Sequence, residues 1–417
     1  MAKPIFGARL LRSITRAGKS QQKLMTQLFG VPAVKAKPKA KTVKAVKAAK
    51  AAKPAAKTAK AAGPARRAAG MSVSAPPAPA ARRAAAARAV PAAPDGMPIR
   101  QHARPDVSVL PGRWLASHYA ALPQPGQVPA QPMSYWLYLP HNVPAASLRA
   151  GLPLIVMLHG CHQTATQFAQ GTRMNRLAEQ KGYAVLYPQQ AASTQAHRCW
   201  RWYDKSTQEG GGDTALIAAV IGKVCGDYAI DRKRIYVAGI SAGAGMANIL
   251  ALNHPELIAA VGLHSGPAYG GGHSTVGALT VMQHGAGLQA SAAIRQVLRQ
   301  RPGFPVMPTI LIQGEGDKVV RPINQAQLVQ QSLLLNRLPA GTEVTVVERA
   351  RRGHTRNAHE IRDYSSRGKV LLRVARIADL EHAWSGGDPA LSFNAKAGPD
   401  ASKMMLDFFA KHRRLLA

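Results

Sequence analysis

From about residue 109 onward, apolar runs alternate with stretches of helical periodicity. "MSYWLYLP" (133–140), "LPLIVMLHG" (152–160) and "YAVLYP" (183–188) are short and rich in β-branched or aromatic residues, which predicts strands. "DTALIAAVIGKVCGDY" (213–228) has helical periodicity and predicts a helix with Asp213 at its N-cap. The pattern continues with a strand at "RIYVAG" (234–239), a helix at "GAGMANILALNHP" (243–255) and a strand at "AAVGLHSG" (259–266). "PTILIQGEGD" (308–317) predicts a strand running into a loop, and "KVLLRVARI" (369–377) a further strand. Strands alternating with helices imply an α/β domain with a mostly parallel sheet, covered by helices on both faces. This places the domain at residues 109–417.

The preceding residues follow no such pattern. "VKAKPKAKTVKAVKAAKAAKPAAKTAKAAGPARRAAG" (34–70) and "SAPPAPAARRAAAARAVPAAPDG" (74–96) are nearly all Ala, Pro, Lys and Arg. Without large apolar side chains to offset the entropy of ordering, residues 31–108 read as a disordered basic tail. Within residues 1–30, Leu10, Leu11, Ile14, Leu24, Met25, Leu28 and Phe29 fit one helical stripe opposite Arg and Lys. That is the pattern of a basic amphipathic helix on a lipid surface, and equally of a weak helix that frays in solution. It lacks the continuous apolar run of a secretory signal, and no run of about twenty apolar residues predicts a transmembrane helix.

Charge follows the same division. Of the formal net charge of +35, residues 1–100 carry +21, from 22 Lys and Arg against Asp95 alone. Such a tail suits non-specific contact with polyanions or a granule surface, and no base-reading motif accompanies it. The three cysteines, Cys161, Cys199 and Cys225, are too few for a disulfide scaffold and their spacing suits no metal site. Three free thiols are compatible with the sequence. So is one disulfide, for which Cys161 and Cys199 are the candidates because "HGC" and "RCW" both fall in loops.

The candidate chemistry centres on "GISAGAG" (239–245), a Gly-x-Ser-x-Gly turn between a strand and a helix. In such a nucleophile elbow the glycines permit a turn too tight for side chains, and the serine hydroxyl stands at a helix N-terminus. Ser241 then needs a base, and the base an orienting carboxylate, in the chain order Ser, acid, His. Asp317, in the loop after "PTILIQG", is the candidate acid, with Glu315 as its rival. His382 in "LEHAWSGG" (380–387) is the candidate base; His264, His284, His354 and His359 compete. His264 reads as a structural neighbour, and His354 and His359, in "RARRGHTRNAHEIRD", as solvated loop residues. For the oxyanion, the backbone N–H of Cys161 in "MLHGCHQT" would pair with that of Ala242. His159 reads as a prop for that loop.

"MLHGCHQTATQFAQGTRMNRLAEQKGYAVLYPQQ", "CWRWYD", "RIYVAGISAGAGMANILA", "AAVGLHSG", "EHAWSGGDPALSF" and "AGPDAS" stand in this order along the chain. With these blocks the sequence resembles the polyhydroxybutyrate depolymerase family of esterases, over most of residues 110–412. The resemblance implies an α/β-hydrolase fold and a secreted-type serine esterase using Ser241, Asp317 and His382, with no metal or organic cofactor. It implies an ester or short-chain polyhydroxyalkanoate substrate, or the acetyl and feruloyl esters that relatives cleave, with Trp200, Trp202, His159 and Trp384 as candidate substrate contacts. Family members act outside the cell, whereas the tail and the missing signal would suit a cytoplasmic or granule-bound protein. The sequence departs from the family pattern at Ala244, where a second glycine is expected, and at Arg201, where a polar neutral residue is usual. A reading of another class makes the chain a polyanion- or granule-binding protein with an incidental esterase domain.

Overall fold

The computed structural model describes residues 110–120, 132–339, 341–350 and 357–414. The expected amphipathic segment (1–30) and basic tail (31–108) lie outside the described residues.

Among the described residues, ten strands make the main sheet, in chain order: β1 Arg113–Tyr119, β2 Met133–Leu139, β3 Leu152–Leu158, β4 Ala184–Pro188, β5 Ile230–Ile240, β6 Ala260–His264, β7 Thr309–Gly314, β8 Val344–Ala350, β9 His359–Ser366 and β10 Lys369–Ile377. They form one sheet in the order β1-β2-β4-β3-β5-β6-β7-β10-β9-β8. The six strands from β4 to β10 in this order pair in parallel. β1 and β2 extend one edge, and β9 and β8 the other, in antiparallel fashion.

The central strands are continuously apolar because both faces are covered. Along β3, Leu154, Val156 and Leu158 enter one core, and Ile155 and Met157 the other. In β5, Ile235 and Val237 alternate in the same way with Tyr236, Ala238 and Ile240. This is the period-two alternation that puts successive side chains on opposite faces of a sheet. The first core is closed by helix Gly212–Asp227, through Ile217, Val220, Ile221 and Val224, and by helix Ala242–Asn253. The second is closed by Phe168 of helix Ala165–Thr172 and by Met405, Leu406, Phe408 and Phe409 of helix Ala401–Phe409. Helix Ala242–Asn253 buries ten of its twelve residues, so its apolar pattern runs nearly all round.

Two expectations need correction. Asp213 is not the helix N-cap: the cap is Gly211, and Asp213 lies in the first turn. There its Oδ2 accepts from Gln190 Nε2 (2.8 Å) and the Arg201 N–H (3.3 Å). His359 is not a solvated loop residue: it lies in β9, buried, with Nε2 3.0 Å from Glu348 Oε1. The described flanks of the basic stretch lie in β8 and β9, where their charges pair locally and across the ladder. Arg349 and Arg362 share Glu360, and Arg373 holds Asp363 through Nε (2.7 Å) and a terminal nitrogen (2.6 Å). His354 lies outside the described residues.

Candidate active site

Ser241 links the end of β5 to helix Ala242–Asn253, with φ 57° and ψ −124°. Positive φ at a residue with a Cβ is costly, and the surroundings here enforce it. A Cβ on Gly239 would stand 2.5 Å from the carbonyl of Gly243, and one on Gly243 would collide with the carbonyls of Leu158 and His159. Only glycine lets strand, turn and helix approach this closely. The Ser241 N–H donates to the His264 carbonyl (3.0 Å), and the Ser241 carbonyl accepts from Gly245 (3.1 Å). The unexpected Ala244 is accommodated opposite a glycine: a Cβ on Gly266 would lie 2.9 Å from the Ala244 methyl.

Asp317 and His382 meet after β7 and β10, neighbours in the sheet. His382 Nδ1 lies 2.8 Å from Asp317 Oδ2. The carboxylate also accepts from the N–H groups of Val319 and Val320, both 2.9 Å, and from Gln313 Nε2 (3.1 Å). Burial alone pushes the Asp317 carboxyl up. The charge and hydrogen bond of His382 and the Val320 and Val319 N–H groups outweigh that and hold it below the usual carboxylate range. An ionised Asp317 accepts the Nδ1–H, which leaves His382 Nε2 as the basic nitrogen. The two loops are joined by backbone bonds from Glu315 N–H to Ile377 O (2.9 Å) and Gly316 N–H to Leu380 O (3.1 Å). Glu315, the rival acid, is exposed and contributes its backbone instead.

The loop after β3 brings Cys161 beside the serine. Cys161 is bridged to Cys199, while Cys225 is free and half-buried. The His162 N–H donates to His197 O (2.7 Å), and Trp200 Nε1 to His159 O (3.0 Å). His159 is fully buried. Its Nε2 accepts the Gln190 N–H (3.2 Å), so Nδ1 carries the proton toward Gly160 O (2.8 Å). Burial lowers its pKa to about 4, so it stays neutral. Cys161, Ser241 and Ala242 line a small cleft closed by Trp202, Pro267, Met282 and Val320. Ala242, first in its helix, has an N–H with no partner one turn back.

The family model described as esterase PHB depolymerase matches residues 133–360. The chain belongs to this family. The match takes in Cys161, Ser241 and Asp317 and ends before His382. Among curated relatives, a poly(3-hydroxyalkanoate) depolymerase C of Paucimonas lemoignei is 29% identical over 193 residues, 46% of either chain. A probable acetylxylan esterase A of Neosartorya fischeri is 35% identical over 147 residues, 35% of this chain and 38% of that one. The chain thus spans less than half the length of these relatives. The structure resembles an acetyl xylan esterase from Aspergillus awamori, with a TM-score of 0.53 and 18% identity, covering 70% of this chain and 99% of that one. This likeness bears on the fold alone.

Of the expected substrate contacts in this esterase-family chain, only Trp202 lines the cleft. Trp200 and Trp384 are fully enclosed. The first serves His159 O, and the second donates to Ser402 Oγ (3.1 Å) and packs edge-on against Phe168. His159, the fourth of these, is fully buried, does not line the cleft and bonds the Gln190 N–H and Gly160 O. Arg201 is exposed and reaches Thr194 O (3.1 Å). Sequence reasoning missed Pro267, Met282 and Val320, which reach the cleft from distant segments. It also missed Gln313, although its place in "LIQGEGD", four residues before Asp317, was a usable signal.

Proposed function

We propose that the chain is a serine carboxylic ester hydrolase with Ser241 as nucleophile, His382 as base and then acid, and Asp317 as the orienting carboxylate. The bond from His382 Nδ1 to a buried, ionised Asp317 is the observation that carries this reading. Ser241 loses its proton to His382 Nε2 as Oγ attacks the acyl carbon, and Asp317 supports the resulting imidazolium. The N–H groups of Cys161 and Ala242 hold the oxyanion, aided by the helix N-terminus. The proton then passes to the leaving alcohol, and water, activated by the same histidine, releases the acyl group from the serine.

The substrate class is an ester of a short hydroxyalkanoate chain, in line with the Paucimonas lemoignei relative. The acetylxylan esterase relatives favour a second reading, acetyl esters of a polysaccharide. The disulfide is in keeping with work in an oxidising, extracellular setting. Among the described residues no helix is long and apolar enough to cross a membrane.

The test is turnover of a short-chain nitrophenyl ester by the full chain and by Ser241→Ala, with fluorophosphonate labelling. The reading requires labelling at Ser241 and loss of turnover in the variant; label elsewhere, or an active variant, overturns it. Polyhydroxybutyrate film and acetylated xylan, assayed side by side, separate the two substrate classes.

A further inference from the structure

His264 ends β6, directly beside the elbow, and is fully buried. Its backbone carbonyl accepts the Ser241 N–H (3.0 Å). Its ring faces the other way, toward the segment that carries His382. There His264 Nε2 lies 3.3 Å from the Ser385 nitrogen, three residues beyond His382. A backbone N–H only donates, so Nε2 is the unprotonated nitrogen and Nδ1–H points to Ser265 Oγ (3.1 Å). The ring stacks on Trp384, with centroids 5.1 Å apart and planes 23° apart. One residue therefore touches the nucleophile turn through its backbone and the base-bearing loop through its side chain.

Resting on the triad reading above, we propose that His264 is a positioning residue. Its ring fixes the loop bearing His382 at the height of Ser241 by accepting the Ser385 N–H. The joined loops of Asp317 and His382 are tied to each other by backbone bonds, and beyond the β6–β7 ladder the His264 ring adds a side-chain tie from the serine turn to the base-bearing loop. Ser385 is buried too, so its N–H finds no water in place of the ring. Burial is the main cause that lowers the His264 pKa to about 3, with a smaller contribution in the same direction from the neighbouring His382 and an opposing one from Asp317. The ring thus remains a neutral acceptor while His382 gains and loses its proton.

The experiment compares His264→Phe and His264→Gln with the unaltered full chain, and with His382→Ala and Ser241→Ala as references. Phenylalanine keeps a ring against Trp384 but removes the acceptor; the Gln Oε1 stands close to the position of the imidazole Nε2. The readouts are kcat and KM on a nitrophenyl ester, the rate of fluorophosphonate labelling, and Tm. His264→Phe should lower kcat about 10- to 100-fold, the order expected when a reacting group is displaced by a fraction of an ångström to an ångström. KM should stay put, labelling should slow in parallel, and His264→Gln should recover most of the loss. Unchanged kcat in His264→Phe, with an inactive His382→Ala, overturns the positioning role alone. So does equal loss in Phe and Gln variants. An active His382→Ala overturns this proposal together with the triad it rests on. Should His264→Phe fail to fold, Ser265→Ala, which frees Nδ1 and the tautomer, must lower kcat at constant KM; an unchanged kcat there overturns the proposal as well.

Discussion

Opening the Cys161–Cys199 bridge should cost both stability and turnover. The bridge joins residues 38 apart in sequence. Closing a loop of this length removes enough unfolded-chain entropy to stabilise the fold by about 4 kcal/mol. The hydrogen bonds His162 N–H to His197 O and Trp200 Nε1 to His159 O span the same two segments and would survive. At about 1 kcal/mol each they contribute less than the covalent link. The perturbation is Cys161→Ala with Cys199→Ala, set beside the unaltered chain with and without reductant, which opens the bond without removing packed atoms. Urea unfolding reads the stability: with a slope of about 3 kcal/mol/M the midpoint should fall by about 1 M or somewhat more. On the proposed oxyanion role of the Cys161 N–H, turnover should fall by about ten-fold, less than the 10²–10³ for losing such a donor outright, because the N–H is loosened but present. A midpoint within about 0.3 M of the oxidised chain, in both the reduced protein and the double variant, would refute the argument that the bridge holds this loop.

Asp317→Asn should reduce kcat by orders of magnitude, about 10⁴ in the comparable serine protease case, because an amide no longer selects the imidazole tautomer. Exposed Glu315→Gln should leave kcat nearly unchanged, and a reversed ranking in steady-state assays of the two would mean the acid is misassigned. The fold should also lose stability in acid. His159 and His264 are held neutral by burial, at about 4 and about 3 against 6.5 for an unhindered histidine. The unfolded chain therefore binds protons that the native state refuses, so their contribution is complete above pH 6.5 and is lost as pH falls from there toward 3. Asp317, held below its ordinary range, adds a loss of the same sign at still lower pH. Urea midpoints measured from pH 8 to pH 4 should decline below about pH 6.5, and a flat series would contradict the buried, neutral assignment of both rings.

The elements legible in the sequence are those whose physics is local. β3, β6 and β7 carry short apolar runs and are buried at nearly every position because both faces are covered, and the elbow is legible because its glycines answer contacts with the adjacent β3. The pairing of Asp317 with His382 was legible as an order of residue types after strands, not as a distance. What stayed hidden depends on partners far along the chain. β1, "RWLASHY", is largely exposed and owes its extended form to pairing with β2. The charges of β8 and β9 suggest a solvated loop until Glu360 and Asp363 are seen to neutralise arginines on the same and facing strands. Asp213 looks like a cap because its own helix starts beside it, but Gln190 and the Arg201 backbone claim its carboxylate. Trp200 and Trp384 read as candidate substrate contacts in the sequence. Only the folded chain shows that their indole nitrogens serve inward partners.

The order in which the sheet is filled also sets a timetable. β10 lies beside β7, yet the chain between them first lays out β8 and β9, which end up farther out at the edge. During synthesis the serine turn and the Cys161 loop can close on β3 and β5 long before the residues of β10 exist. Asp317 follows with β7 and waits for its histidine until a three-strand excursion has returned. On the proposed triad, a ribosome-bound chain would thus carry a shaped serine before its base arrives, and opening the β7–β10 seam would part the two again.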